Sequence, residues 1–292
     1  MCAWPSFGHA PQFRVFRNVL SAETVAQLTE ASDQSLARQS SSHFDEEVAA
    51  GSMILIDWQF FNEQPAFAEL VADPSVSAAL GELGFPEPRF GHGRIISKPP
   101  RSPQLYWHRD GRFWNDPTAL TPLPRQVFLM FYLVDTSPKN GCLRVVPGSH
   151  LRSHPMDHVV GLSGRTAEQQ TFADPSHPSF GRFEGEIDVP LRAGDFVAGY
   201  SELLHSAHAN SSDAKRTCLT MWYYPAFAEL PRRSQASIAA AEVGGMTSSL
   251  SQVQDPGVAD RLRAYEITYD GDAAADAYES TWEVPTKVLP RL

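Results

Sequence analysis

The residues that could do chemistry lie in two short strings about a hundred positions apart. The first is Tyr106-Trp107-His108-Arg109-Asp110. On an extended strand, residues i and i+2 point the same way, so His108 and Asp110 can face one metal ion from one edge. An imidazole nitrogen with a carboxylate oxygen suits Fe(II), Mn(II) or Zn(II). Alone the pair is unspecific, and its plain alternative is a surface turn running into Gly111. The second string is Leu203-Leu204-His205-Ser206-Ala207-His208-Ala209-Asn210. One more imidazole from a distant strand would complete a face of two histidines and one carboxylate, leaving three coordination positions open. His205 and His208 both qualify. Three apart on a strand, they face opposite sides, so the pair is expected to supply one ligand.

Arg216 follows His205 by eleven residues and heads the run Thr217-Cys218-Leu219-Thr220-Met221-Trp222-Tyr223-Tyr224. A guanidinium entering so apolar a strand is costly to bury unless an anion pairs with it. A dicarboxylate anchored by its far carboxylate would provide that anion in bidentate geometry. The plain alternative is a salt bridge to a neighbour such as Asp213.

These side chains need elements to hold them. Val25, Leu28, Ala31 and Leu36 recur at helical spacing, with Ser21 as N-cap and Leu20 with Val25 as a staple, so the spacing predicts a helix over 22–38. A polar loop follows over 39–47, then a strand over Met53–Trp58 and one or two short helices over 65–83. From about residue 86, short β-rich runs alternate with Pro, Gly, Asp and Asn: Arg89–Ile96, Gln104–His108, Gln126–Asp135, Leu143–Val146, Asp195–Tyr200 and Thr217–Tyr224. Strands this short and this regular suggest a sandwich or jelly roll. In Gln126–Leu133 both alternating faces are largely apolar, which predicts a central strand. Residues 151–190 read as one long connection, a candidate lid.

The two strings and their neighbours bear a family likeness. Across roughly residues 10–225 the chain resembles the phytanoyl-CoA dioxygenase-like group of Fe(II)/2-oxoglutarate-dependent oxygenases. The likeness rests on five stretches. They are the Phe13–Glu23 opening with Leu20-Ser21-Ala22-Glu23, Ser97-Lys98-Pro99-Pro100, and Trp107-His108-Arg109-Asp110-Gly111. Then come Asn140-Gly141-Cys142-Leu143-Arg144-Val145-Val146-Pro147-Gly148-Ser149-His150, and Ala193-Gly194-Asp195 leading into His205, Asn210 and Arg216.

The resemblance implies a mainly β fold with flanking helices, a cupin-like double-stranded β-helix (jelly roll) with iron at one end. It implies His108, Asp110 and His205 as iron ligands, and Arg216 as partner of the distal carboxylate of 2-oxoglutarate. His205 is preferred to His208 because the family pattern puts Asn five residues after the ligand, where Asn210 stands, although Ser206 replaces a common Gly. Gln104 and Gln126 are candidates for the proximal carboxylate, and Met130 occupies a co-substrate-wall position where an aromatic is common. Asp110 fills the position that related halogenases give to a small residue, so the resemblance implies hydroxylation or another oxidation, with 2-oxoglutarate and O2 going to succinate and CO2. Trp107, Phe113, Trp114 and Tyr224 cluster near His108 and Arg216, which suggests a small, largely apolar organic substrate and a natural-product or lipid-tailoring role. An acyl-CoA is the alternative substrate, although no Lys/Arg cluster suits its phosphates. A non-catalytic jelly-roll binder is the alternative class, but it need not keep Arg216.

Composition sets outer bounds. The chain has 292 residues and a formal charge of -10, a global field that disfavours nucleic acid and anionic lipid as partners. Nine acids and four bases place half of that charge in residues 241–292, away from the metal strings. The longest apolar run, Val127–Val134, is too short to span a bilayer, and residues 1–20 lack the continuous apolar stretch of a secretory signal. Cys2, Cys142 and Cys218 make no CxxC and no even framework, which points to a reducing cytoplasm. His150, His154, His158 and His177 match no zinc spacing and read as part of a polar lid, with His150 in the Pro-Gly-Ser-His turn read as structural. One domain over 1–292 is expected: a helical part over 13–85, a jelly-roll core over 86–225 and a C-terminal extension over 231–292.

Overall fold

The computed structural model describes residues 13–38, 52–56, 58–110, 124–151, 154, 176, 178–244 and 250–277. Its strands are β1 (Phe13–Phe16), β2 (Ser52–Ile56), β3 (Arg89–Lys98), β4 (Val127–Tyr132), β5 (Leu143–Val145), β6 (Ile187–Val189), β7 (Phe196–Tyr200), β8 (His205–Ala207) and β9 (Arg216–Tyr224). They form two antiparallel sheets, one ordered β1-β7-β4-β9-β3-β2 and a smaller one ordered β6-β5-β8.

The alternation along β4 divides the molecule. Phe128, Met130 and Tyr132 point between the sheets and join Val197, Cys218 and Trp222 of the large sheet with Leu143, Val145 and Val189 of the small one. Val127, Leu129 and Phe131 point the other way, into a second core that the helices cover. β4 lies between β7 and β9 and is buried along its whole length, as its two apolar faces predict. Phe128 is admitted by a glycine opposite it: a Cβ at Gly199 would stand 2.4 Å from the Phe128 ring. Gly199→Ala would therefore overpack the space between the sheets, a change that costs about 1–3 kcal/mol.

The helices flank the large sheet. Helix α1 (Ala22–Ala37) starts at Ser21, whose hydroxyl accepts the Thr24 N–H, and buries Leu28 and Ala31. Residues 65–82 form two helices, α2 (Pro65–Val71) and α3 (Pro74–Glu82), because Asp73 caps a new start and Pro74 takes the first-turn position that needs no N–H. After β9 come α4 (Arg232–Gly244) and α5 (Pro256–Leu262). Among the described residues no helix is long and apolar enough to cross a membrane.

Two expectations about elements need correcting. Gln104–His108 is not a strand, since Pro99, Pro100 and Pro103 interrupt the chain there and only an isolated bridge from His108 to His205 forms. The 151–190 connection contains β6, three residues too short to carry a visible alternation. Most of the rest of that connection lies outside the described residues.

Candidate metal centre

His108 and His205 meet as an antiparallel pair, each backbone N–H donating to the other's carbonyl at 2.9 Å. This pairing sets their rings 4.2 Å apart. Each Nδ1 lies against the carbonyl two residues back, His108 to Tyr106 at 3.0 Å and His205 to Leu203 at 2.9 Å. A carbonyl can only accept, so each Nδ1 donates in this arrangement, and a neutral ring so held offers its Nε2 lone pair to a cation.

Asp110 turns back to the same point, its N–H donating to the Ser201 carbonyl at 2.7 Å. Its Oδ1 lies 3.6 Å from His108 Nε2 and its Oδ2 lies 3.7 Å from His205 Nε2. One donor atom from each of the three residues falls within 4.8 Å of the others. Two neutral nitrogens and one carboxylate at that separation fit a divalent transition metal with open positions. Phe128 packs its ring 5.1 Å from His205, and the Trp222 indole donates to Asp110 Oδ2 at 2.9 Å.

Arg216 begins the central strand β9 and is only 3% exposed. The salt bridge with Asp213 does not form, because Asp213 pairs with Arg101 instead. Arg216 donates one N–H to Cys218 Sγ at 3.0 Å, and its Nε finds no partner among the described residues. Lys98 is its cross-strand neighbour and is also buried. Burial, reinforced by the Arg216 charge, pulls the Lys98 ammonium down to about 7. Two buried cationic groups side by side, with no carboxylate in ion-pair range among the described residues, call for an anion. A carboxylate of a dicarboxylic acid has the charge and the lone pairs to meet that need.

The other residues singled out in the sequence are distributed as follows. Met130 faces the space between the sheets, in register with Thr220 and Val197. Gln126 is buried and its Oε1 accepts from the Ser201 hydroxyl, while Gln104 donates to the Phe180 carbonyl. Trp107 is fully buried in a separate cluster with Val146 and Leu204, its indole donating to the Gly181 carbonyl. Alternation explains this placement: turning His108 towards the centre turns Trp107 away. Tyr224 donates to Glu242 of α4. Phe113, Trp114, His158 and His177 lie outside the described residues. His150 packs against the Tyr200 ring, and burial, then Arg109, pushes it down to about 4.

Several motif residues are braces. The Asn210 side chain donates to the carbonyls of Lys98, Pro99 and Ala214, tying β3 to the loop that leads into β9. Asp195 accepts from Arg17 and from the N–H groups of Asn18 and Arg192, anchoring the N-terminal segment to β7. Lys98 and Trp222 join the site only in the structure; for Trp222 the sequence signal is period-2 counting from Arg216, which puts Cys218, Thr220 and Trp222 on one face with it.

A second group of donors, Cys142, Asp188 and His208, lies on the small sheet. His208 Nε2 is hydrogen-bonded to Asp188 Oδ1 at 2.6 Å, and burial, then Asp188, pushes the Cys142 thiol up to about 12.

Comparison with known proteins gives a consistent picture. The family model described as phytanoyl-CoA dioxygenase (PhyH) matches residues 13–218. The chain is 27% identical over 163 residues to phytanoyl-CoA dioxygenase domain-containing protein 1 of Mus musculus, covering 54% of this chain and 52% of that protein. It is 29% identical over 218 residues to an ectoine dioxygenase of Nocardia farcinica, covering 70% of this chain and 71% of that protein. Among solved structures it resembles the epimerase SnoN in complex with Fe3+, alpha ketoglutarate and nogalamycin RO, with a TM-score of 0.52 at 22% identity, covering 74% of this chain and 80% of that one. That likeness establishes the jelly-roll fold. The chain spans about half the length of the phytanoyl-CoA dioxygenase-type relatives it matches.

Proposed function

The chain belongs to the phytanoyl-CoA dioxygenase (PhyH) family, and from that premise we propose that it is an Fe(II)/2-oxoglutarate-dependent oxygenase that oxidises an unactivated C–H bond of a small, largely apolar organic molecule. The observation that carries the reading is the pairing of the His108, Asp110 and His205 donor face with a buried Arg216 that lacks a carboxylate partner among the described residues. A metal-binding protein without this chemistry has no need of the second feature. Iron with 2-oxoglutarate and O2 supplies an oxidant able to take hydrogen from carbon, giving succinate and CO2.

The residues of the chain do the holding. His108, Asp110 and His205 would bind the metal on one face and leave the opposite face for co-substrate, oxygen and the approach of substrate. Arg216 and Lys98 would hold the distal carboxylate of 2-oxoglutarate, fixing its length across the space between the sheets. Phe128, Met130 and Val197 make that space apolar, which keeps water from competing for open positions. Asp110 retains the carboxylate at the position where a halide would otherwise enter, which supports oxidation in place of halogenation.

The molecules named with the similar proteins are chemically unlike: ectoine in the name of one, nogalamycin RO bound in the structure of another. A natural-product or lipid-tailoring substrate fits this spread and the apolar interior, and an acyl-CoA is the alternative within the family. The test is succinate formation from 2-oxoglutarate with Fe(II), ascorbate and a panel of small organic molecules and acyl-CoA esters. Succinate above the uncoupled background with a panel member is the expected result. An iron-loaded sample that neither binds nor consumes 2-oxoglutarate would overturn the proposal.

A further inference from the structure

Asp110 is the least supported of the three donors. His108 and His205 share a backbone bridge, whereas the backbone of Asp110 stands beyond it on one hydrogen bond, to Ser201, among the described residues. A carboxylate there can swing between one-oxygen and two-oxygen binding unless another group fixes it. We propose that Trp222, backed by His92 and Glu242, is the positioning residue that fixes Asp110, so that helix α4 forms part of the metal centre. This rests on reading His108, Asp110 and His205 as the metal ligands.

A β-bulge makes the arrangement possible. In the pairing of β3 with β9, Phe90 is opposite Tyr223 and His92 is opposite Trp222, so Gly91 is the extra residue. Without the bulge, His92 would share the face of Phe90, which lies in the helix-covered core with Tyr223. With it, His92 turns to the inner face and stacks on Trp222, ring centres 4.9 Å apart and planes 24° from parallel. A Cβ at position 91 would meet the Tyr224 ring at 3.0 Å and Glu242 Oε1 at 3.4 Å, so a residue without a side chain suits the bulge.

Behind the stack, His92 Nδ1 lies 3.3 Å from Glu242 Oε2, and Glu242 Oε1 accepts from the Tyr224 hydroxyl at 2.5 Å. Phe128 of β4 flanks Trp222 from the other side in register. The indole is thereby held on a central strand by neighbours on both sides, and its N–H points to Asp110 Oδ2 at 2.9 Å. An indole is a neutral donor. It can orient the carboxylate without neutralising it, as an arginine or lysine would, and it engages Oδ2 while leaving Oδ1 to the metal. Trp222, Tyr224 and Glu242 all follow residue 218, where the family match ends, so the bracket lies in the part of the chain beyond that match.

The test is Co(II) titration of the metal-free, full-length protein by calorimetry and by visible absorption, with no turnover required. Trp222→Phe keeps a ring and removes the N–H; it is expected to weaken Co(II) binding by about 10–100-fold and to change the intensity of the cobalt bands as the carboxylate rebinds. Glu242→Gln, nearly isosteric, is expected to weaken binding by about threefold, at the low end of such outer-shell effects, with an unchanged melting midpoint. Parental affinity and parental spectrum in Trp222→Phe would overturn the proposal. Should Trp222→Phe fail to fold, parental Co(II) affinity in Glu242→Gln overturns it instead. If the parent protein itself shows no Co(II) binding that His108→Ala removes, the reading of the metal centre fails, which is a separate result.

Discussion

Two groups of three donors lie around one small sheet, and they differ in how their protons and charges are already committed. In His108, Asp110 and His205 each imidazole gives its one proton to a main-chain carbonyl, and the carboxylate stands 3.6–3.7 Å from both Nε2 atoms. Ligands about 2.1 Å from one ion stand roughly 3 Å from each other, so this group needs only a slight contraction. In Cys142, Asp188 and His208 the imidazole and carboxylate are joined at 2.6 Å, and the thiol is held neutral by burial and by the aspartate. A metal there would have to break a hydrogen bond and strip a proton from sulfur. Residue types alone do not separate a metal centre from an ion pair; the groups that have already claimed the imidazole proton do.

The largest effect that would break this contrast is loss of a ligand. His108→Ala or Asp110→Ala is expected to lower metal affinity and succinate formation by at least about 100-fold, while Cys142→Ser leaves both at the parental level. Equal losses from the two groups would erase the distinction. Next comes the buried cation Arg216. Arg216→Ala is expected to raise the Kd for 2-oxoglutarate by about 100-fold, near the upper range for hydrogen bonds to charged groups, as read by calorimetry.

A pH series sharpens the same point. Lys98 has its midpoint at about 7 without an anion, and a bound carboxylate favours its charged form and raises that midpoint. Binding above pH 7 therefore takes up a proton, and 2-oxoglutarate affinity falls as pH rises, by at most about tenfold per unit. In Lys98→Met this slope should vanish. The smallest effects belong to the second group. His208→Ala is expected to change stability by no more than about 1 kcal/mol, as a partly exposed ion pair allows. A second equivalent of Co(II) should give no thiolate absorption. Such a band, lost in Cys142→Ser, would make the second group a metal site after all.

Much of this was legible in the sequence where the signal is periodic. The two apolar faces of Gln126–Leu133 anticipate a central strand, to which the structure adds a core on either side, and Ser21 marks the start of α1. Opposite facing of His205 and His208 followed from counting alone, and the structure gives them different neighbours. What escaped depends on long-range partners. Trp107 looked like a pocket residue because it adjoins His108, yet adjacency on an extended chain means facing away. Lys98, Trp222 and Glu242 come from β3, β9 and α4, and no local pattern announces that three such elements converge. β6 and the bridge at His108 are too short to show a period at all.

The extra residue at Gly91 also acts as a parity bit for strand β3. Positions 92, 94, 96 and 98 lie on the side opposite to Phe90 only because the count is offset by one after Phe90. Deleting Gly91 would remove no functional group. Yet it would force either residues 89–90 or residues 92–98 to turn over, and the second choice would carry Lys98 away from Arg216 and into the helix side of the sheet. In this strand a change of length and a change of residue are mutations of different order. A loss at position 91 can reach Lys98, seven residues downstream, and its pairing with Arg216, where any single replacement would be felt mainly by its own neighbours.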